Sequence, residues 1–420
     1  MAAFFVLCFF FISCNEETPA NSGEIEEPSE KPGDEPGDDP NDDPGEEIFV
    51  ETRLPIIRIN TRNSAPVVSK DNWLYMALTV DSENPKHSFV KNSGSDQIRG
   101  RGNSSWNWDK KPYRIRFNDR TSMFGLTPAR NWVLLANYKT ATLMTDTVPY
   151  ELGHRFDGPL FKNNYKYVEL HLNDVYKGIY ILTEHMRPGP GRVEIDDFDD
   201  YLVELSFQFD EEPKWETEHW KLPVMIKSPE YSLNINDPRY KFVVDSMNEF
   251  DAALAKSSNF PNNNWKDILD MDSFVDYIMI NEITHNHELE NPGSVYMCKI
   301  AGQKLRMSHL WDFDWAYAMW DKRSINVDSY NWKVPLGLFG RFFEDSEFKA
   351  KYRARWNEKY DDILSMTDYM EELYLIIKDA YPMDNALWHG GRDNLRVEVD
   401  KLKQWWTNRV AHLNWDINRR

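Results

Sequence analysis

Two aspartates separated by one residue are the side chains of this sequence whose chemistry is most evident. Asp312 and Asp314 alternate with large aromatic residues in the run HLWDFDWAY, residues 309–317. Carboxylates among apolar side chains need compensation, because an isolated charge is costly to remove from water. Mg²⁺ can supply it, since this ion binds one or two carboxylates and completes its shell with water and substrate phosphates. The spacing indicates a metal site, and a capping aspartate beside a solvated one is the alternative.

A glycine-rich turn precedes a strand in residues 98–117, IRGRGNSSWNWDKKPYRIRF. Backbone N–H groups and cations in such a turn can bind phosphate. Lys110 and Lys111 enter the strand, where alternation directs one inward and the other outward. An inward lysine suits a nucleotide phosphate, because its ammonium is a compact charge. An ordinary turn with two solvated lysines is the alternative interpretation.

A third polar segment, NEITHNHELEN at residues 281–291, follows an apolar helix. Loops held by a rigid element commonly carry catalytic groups. Asn286 could bind a metal, and Glu288 could accept a hydroxyl proton or hold a second ion. His285 and His287 would face different sides of a helix, which disfavours a zinc pair. A polar loop without chemistry is the alternative, and the sequence contains no GxSxG, HExxH or P-loop motif.

The secondary-structure elements that must position these segments are mainly strands in the first half of the chain and mainly helices in the second half. Alternating patterns predict strands in the first half, with one helix at residues 143–156. The predicted strands are residues 54–61, 73–80, 110–117, 131–137, 167–173 and 178–186. Helical spacing then predicts helices at residues 239–255, 265–284, 346–364, 368–380 and 394–415, interrupted by a hairpin of residues 294–300 and 304–314. A β-rich lobe joined to a helical lobe, with a site in the cleft, is the natural assembly.

The N-terminal residues resemble a bacterial lipoprotein signal. An apolar run too short to span a bilayer as a helix ends at Cys14, which would carry the lipid. Residues 15–47 contain 14 acids, one base, six prolines and four glycines, a composition that cannot bury a core. Acids directly behind the cysteine resemble the export signal of Bacteroidetes-type lipoproteins. We therefore expect an outer-membrane lipoprotein bound to the membrane through its lipid alone, surface-exposed, with a periplasm-facing position as the alternative.

The charge balance excludes some classes of protein. The net charge is −20, and residues 15–47 account for −13 of it (1 base − 14 acids), which leaves −7 for the rest. A nucleic-acid binder needs a basic face, so we predict no nucleic-acid partner. Three cysteines are too few for a disulfide scaffold. We expect Cys298 to be a core residue in a strand.

Taken in order, these segments resemble the CotH kinase family, named for a spore-coat protein H. The resemblance runs from about residue 54 to the C-terminus. It rests on RGRGNSSWNWDKKPYRIRF, NWVLLANY, YVELHLNDVYKGIYILTEHM, LVEL, NEITHNHELENPGSVYMCKI, LWDFDWAY and FEDSEFKAKYRARW. It implies an α+β, protein-kinase-like two-lobed fold. After a signal (1–14) and a disordered acidic tether (15–48), a β-rich nucleotide-binding lobe (49–205) would precede a mainly helical catalytic lobe (206–420).

The resemblance also implies an atypical protein kinase that transfers the γ-phosphoryl group of ATP to Ser or Thr hydroxyls. Its cofactor would be Mg²⁺, with Mn²⁺ as the alternative, and its substrate a protein that the sequence does not identify. The sequence does not give the oligomeric state either. By resemblance, residues 202–205 lie near the adenine. The implied nucleotide-binding residues are Arg101, Asn103, Ser104, Lys111 and its partner Glu184; Asp312 and Asp314 bind metal; Asn286, Glu288 and Asp312 are catalytic.

Two departures from the family pattern concern activity. The loop reads Asn286-His287-Glu288 where the family typically has Asn-x-Asp, so its carboxylate is one methylene longer. Residues 139–142 read KTAT, and Thr145-Asp146 stands where Arg-Asn is usual. Because ATP is scarce outside the cytoplasm, a catalytically weak or inactive binding module on the cell surface is the alternative function. A glycan hydrolase using Asp312, Asp314 and Glu288 is a third hypothesis.

Overall fold

The first eight strands form a closed barrel with one additional edge strand. The computed structural model of the chain describes residues 52–158, 161–229, 236–289, 292–319, 323–331 and 337–419. The barrel order is β1-β7-β8-β6-β5-β4-β2, and β2 pairs with β1 to close it, while β3 lies outside on β2. All pairs are antiparallel except β1–β7. The strands are β1 Ile56–Thr61, β2 Leu74–Asp81, β3 Phe89–Lys91, β4 Gln97–Gly100, β5 Tyr113–Thr121, β6 Ala129–Leu135, β7 Tyr165–Leu172 and β8 Val175–Glu184.

Alternation along the strands fills the barrel with side chains. In β6, Trp132 and Leu134 belong to the core inside the barrel. The intervening Val133 and Leu135 face outward and join a second, larger core. Because successive side chains of a strand point to opposite faces, this one strand contributes to both cores.

A second sheet of five strands follows in the order β10-β11-β9-β12-β13. Its central strand β9 is buried along its whole length. Cys298 in β12 is buried as well, which confirms the expectation that it is a core residue in a strand. The strands are β9 Tyr201–Leu205, β10 Lys214–Glu216, β11 Pro223–Ser228, β12 Val295–Lys299 and β13 Arg306–Met307.

Helices make up most of the remaining chain. Apart from the short α5 and α8, which were not predicted, they match the predicted helical regions, but the predicted helix of residues 265–284 is divided in two. The chain is extended at Leu269, which pairs with Leu305, and Asp270 then accepts a hydrogen bond from Ser273 N at 3.1 Å to begin the next helix. The helices are α1 Thr147–Arg155, α2 Pro238–Ala253, α3 Trp265–Ile268, α4 Met271–Ile283, α5 Gly337–Gly340, α6 Ser346–Leu364, α7 Met366–Ile377, α8 Tyr381–His389 and α9 Leu395–Ile417.

The predicted protein-kinase-like two-lobed fold is wrong. The chain has a closed seven-stranded barrel with a helical C-terminal region, whereas that prediction required an open sheet as the nucleotide-binding lobe. The reason lies in the closing pairs. Ile56 of β1 pairs with Glu169 of β7 on one side and with Asp81 of β2 on the other. Pairings between such distant segments cannot be predicted from local periodicity.

The predicted signal, the lipidation site Cys14 and the acidic tether lie outside the described residues. The described residues belong to one compact unit, Phe49–Arg420. None of the helices within them combines the length and apolar character needed to cross a membrane.

Candidate functional site

A cavity of about 500 Å³ lies between the outer face of the barrel, β9 and the segment after β13. Its lining contains acidic residues, basic residues and aromatic side chains. The lining residues used below are Arg99, Arg101, Asn103, Ser104, Arg114, Asp146, Glu204, Phe207, Lys227, Glu288, Gly293, Ser294, Asp312, Asp314 and Trp315. Three segments identified in the sequence therefore meet in one space.

Asp312, Asp314 and Asp146 form the acidic side of the cavity. Asp312 has a left-handed backbone, with φ of 61°, so these aspartates do not continue a strand as their spacing suggested. The Ser294 hydroxyl donates a hydrogen bond to Asp312 Oδ2 at 3.2 Å. The backbone N–H of Phe313 donates to Asp146 Oδ1 at 3.2 Å. The turn at Asp312 thus lies beside Asp146, and Asp314, two residues on, lines the same cavity; we name these three residues the acidic group.

Burial raises the pKa of each of these carboxyl groups, and repulsion by neighbouring aspartates adds to the rise at Asp146 and Asp314. Burial, followed by the charge of Asp312, raises the pKa of Asp146 to about 7. Burial also raises the pKa of Asp312, although Arg101 and the Ser294 hydrogen bond oppose it. The pKa of Asp314 lies well above its usual range, through burial and then the charges of Asp312 and Asp146. The group therefore needs protons or a cation to compensate its charge.

Glu288 faces the same cavity from the loop after α4. Burial, then the charges of Asp312 and Asp314, raise its pKa to about 9. Gly293 passes so close that a Cβ at this position would lie 1.9 Å from Glu288 Oε2. Asn286 is buried, and its Nδ2 donates to Asn281 Oδ1 at 3.0 Å. Asn286 does not line the cavity but supports the loop that presents Glu288.

The glycine-rich turn forms the basic side. Arg101, Asn103 and Ser104 line the cavity, as does Arg114 of β5. Gly102 has φ of +86°, and a Cβ there would lie 2.1 Å from Ser105 Oγ, so the turn requires glycine. The Arg101 guanidinium lies 5.5 Å from the ring centre of Trp311, and its charge lowers the pKa values of all three aspartates.

The two lysines and Glu184 lie elsewhere. Lys111 Nζ donates to the carbonyl oxygen of Trp106 at 2.8 Å, and Lys110 Nζ is buried 2.6 Å from Asp384 Oδ1. Glu184 is buried beside Arg192, with an N–O distance of 3.6 Å. None of these lysine and glutamate side chains lines the cavity. The structure does not bring Lys111 and Glu184 together with each other or with the aspartates.

Sequence reasoning missed Asp146 as a site residue. It stands at the start of α1, where an aspartate ordinarily accepts a hydrogen bond from its own helix, yet its side chain makes none there. Arg114 and Lys227 were missed as well. Lys227 Nζ lies 3.0 Å from Oε2 of Glu204, which belongs to the residues 202–205 that were predicted to lie near the adenine. The KTAT and Thr145-Asp146 departures from the family pattern were the one signal that pointed to this region.

The acidic group fits a divalent cation by its chemistry. Carboxylate oxygens are the ligands that Mg²⁺ and Mn²⁺ prefer, and these carboxylates share one buried space with raised pKa values. Among the described residues, no three Asp, Glu, His or Cys side chains form a ready-made metal cluster. A cation here would therefore depend on ligands from substrate and water in addition to Asp312, Asp314 and Asp146.

Comparison with known proteins gives one family. No curated protein matches the chain. The family described as CotH kinase protein matches residues 98–413, which include the glycine-rich turn, Asp146, Glu288, Asp312 and Asp314. The match covers most of the chain and every residue of the acidic group, so this protein belongs to the CotH kinase family.

Proposed function

We propose that the protein transfers the γ-phosphoryl group of ATP to a Ser or Thr hydroxyl of a protein. The observation that carries the proposal is the meeting of the Arg101 turn and the Asp146–Asp312–Asp314 group across one cavity. Phosphoryl transfer depends chiefly on positioning and on compensation of phosphate charge. A cavity with cations on one side and buried carboxylates on the other supports both requirements.

Asp312, Asp314 and Asp146 would hold a divalent cation, Mg²⁺ or Mn²⁺. When bound, this cation supplies neutralisation of charge on the transferring phosphate. Arg101 and the N–H groups of its turn would bind phosphate oxygens, because guanidinium groups donate paired hydrogen bonds to phosphate. Exposed aromatic rings at the rim, Phe207 at 48% and Trp315 at 47%, offer stacking surfaces for the base.

In the transfer step, the acceptor hydroxyl oxygen forms a bond to the γ-phosphorus. The bond between that phosphorus and the β–γ bridging oxygen breaks, and ADP leaves. The hydroxyl proton passes to Glu288, the carboxylate nearest the loop position of the family base. The charges of Asp312 and Asp314 both raise the pKa of Glu288. Neutralising those charges therefore lowers this pKa and favours the ionised carboxylate.

Radiolabelled ATP with the purified chain and Mg²⁺ or Mn²⁺ tests the proposal. We expect phosphate transfer to the chain or to an added protein, and its loss in Asp312→Asn. Matched melting curves of the two proteins separate a catalytic loss from a folding loss. Unchanged labelling in Asp312→Asn would exclude this aspartate from the reaction.

A binding module without catalysis is the second candidate, favoured by the exposed rings of Phe207 and Trp315. Nucleotide-dependent thermal shift distinguishes the two functions. Binding at 100 times Kd stabilises by roughly 2.7 kcal/mol. Absence of a shift with any nucleotide and metal would favour the binding module.

The proposal includes attachment to the outer membrane through lipid on Cys14, with the domain displayed at the cell surface. It is supported by the apolar run before Cys14 and the acids after it. Metabolic labelling with a fatty-acid analogue tests it, and Cys14→Ala is expected to remove the label.

A further inference from the structure

Three arginines form a basic surface that continues from the cavity onto the outside of the barrel. Arg99 lies in β4, and Arg114 and Arg116 lie in β5; we name these three residues the arginine stripe. Arg99 and Arg114 are cross-strand partners, an arrangement of like charges that is unfavourable unless something compensates it. Arg99 and Arg114 line the cavity, whereas Arg116 is exposed outside it.

All three guanidinium groups of the arginine stripe lie close to the indole ring of Trp73. The guanidinium carbons of Arg99, Arg114 and Arg116 lie 4.8, 5.6 and 4.3 Å from the ring centre of Trp73. Stacking on an aromatic ring holds a guanidinium group without neutralising it. Trp73 therefore gathers three positive charges at one place on the barrel.

The other partners of the arginine stripe are neutral. Arg114 Nη2 donates to Asn131 Oδ1 at 2.9 Å, and Arg116 Nε donates to Gln97 Oε1 at 3.1 Å. Arg99 donates to the carbonyl oxygen of Lys70. Within the described residues, no carboxylate oxygen lies within 4.0 Å of any of these three guanidinium groups. Asp71 and Glu211 act on Arg99 only from a greater distance.

The chain compensates these charges only in part, through Asp71 acting on Arg99 and through Glu211 acting on both Arg99 and Arg114. Burial, then the charges of Arg187, Arg99 and Arg101, lower the pKa of Arg114 to about 9. A partner that brings carboxylates would relieve this repulsion. The geometry suits an extended peptide, because Arg114 and Arg116 are two residues apart in a strand, about 6.7 Å, which is also the spacing of alternate side chains in an extended chain.

We propose that the arginine stripe binds acidic residues flanking the acceptor hydroxyl, so that the preferred substrate is an extended, Asp- and Glu-rich protein segment. The inference rests on the proposed function, since it names the substrate class for the same cavity. Arg116 is the residue that favours a peptide over the phosphates of ATP, because it lies on the stripe but outside the cavity that would hold the nucleotide.

Binding of labelled peptides to the full chain, measured by fluorescence anisotropy without ATP, tests the inference. One probe has a central serine flanked by acids, and the other carries Asn and Gln instead. We expect the acidic peptide to bind at least about tenfold more tightly, with the preference weakening as salt increases. Arg116→Glu should abolish the preference. Arg58→Glu, the same charge change in β1 on the far side of the barrel, should keep it.

The outcomes separate the inference from the proposed function. If the protein transfers no phosphate but prefers the acidic peptide, and this preference depends on Arg116, the inference about the arginine stripe is supported and the proposed kinase activity is rejected. Phosphate transfer with equal binding of the two peptides would overturn the inference alone. It would also be overturned if Arg116→Glu raised the KM for ATP without changing peptide preference, or if a single-stranded oligonucleotide bound more tightly than the acidic peptide.

Discussion

Asp146 accepts a hydrogen bond from the backbone N–H of Phe313, at 3.2 Å. Phe313 stands between Asp312 and Asp314, so this one bond connects the start of α1 to the acidic group. It diverts Asp146 from capping its own helix. The acidic group consequently has a third carboxylate, which a main-chain hydrogen bond helps to hold in place.

We predict that Asp312→Asn abolishes phosphate transfer, by about three orders of magnitude or more, because a group that compensates transition-state charge is lost. The folded state should not be destabilised, since burial raises the pKa of Asp312 and its ionised form is unfavourable there. Radiolabel transfer and thermal melting at pH 8 check both parts. A melting temperature that falls with activity would mean that the aspartate is structural.

Asp146 should make the metal-free protein less stable as pH rises. Its pKa is about 7 in the folded chain and 3.8 as a free group, so the folded state binds more protons between these values. Stability therefore decreases as pH rises from about 4 to about 7. Melting temperatures of Asp146→Asn should decrease less over pH 5–8, and added Mg²⁺ should reduce the difference. Parallel curves for the two proteins would contradict this prediction.

Glu288→Gln should lower kcat by about 10²–10⁴-fold, the usual contribution of a general base. The ionised carboxylate is the active form, so activity should rise with pH until the pKa of Glu288 is passed. That pKa is about 9 without a cation. Raising the Mg²⁺ concentration should move the acidic limb of the kcat–pH profile to lower pH. Glu288→Asp is the matched variant, and a limb that persists in Glu288→Gln would assign it to another group.

Arg101→Ala should raise the KM for ATP about 10–100-fold, because a hydrogen bond to a charged group is worth about 1.5–3 kcal/mol. Lys111→Ala serves as its comparison. The Lys111 ammonium donates to the Trp106 carbonyl and does not line the cavity, so we expect little change in this constant. A larger effect from Lys111→Ala than from Arg101→Ala would restore Lys111 as the phosphate-binding residue.

Asp384→Asn should destabilise the fold by about 3–5 kcal/mol, because it leaves Lys110 buried without its counter-ion. The two side chains are 1% and 2% exposed, and their atoms are 2.6 Å apart. Asp384 Oδ1 also accepts from the backbone N–H of Ile179 at 2.9 Å. Urea denaturation measures the loss, and Lys110→Met with Asp384→Leu should recover much of it. A small effect of the single change would show that water reaches Lys110.

Local patterns predicted most strands and helices but not the architecture. Strand β6 was predicted at residues 131–137 and lies at Ala129–Leu135. This prediction was possible because the apolar run that forms the strand is visible in the local sequence. Barrel closure depends on pairs such as Ile56 with Glu169, which only the folded chain brings together.

The candidate site shows the same limit. Arg101, Glu288, Asp312 and Asp314 could be identified because each lies in a segment with unusual composition. Asp146 could not, because a single aspartate before a helix is typical of a cap. Alternation predicted that one lysine of residues 110–111 points inward. It could not show that the buried lysine is the first, paired with Asp384 from a distant helix.

The closure of the barrel has a consequence for where the chain can be cut. The family match begins at Ile98, within β4 and after β1 and β2. A truncated chain that starts there would lack both closing strands, leaving β7 and β4 with unpaired edges. Exposed strand edges are templates for aggregation, and the interior would lose Ile57, Ile59 and Leu78. The start of the family match is therefore not a folding boundary, and the smallest fragment that folds should begin before β1.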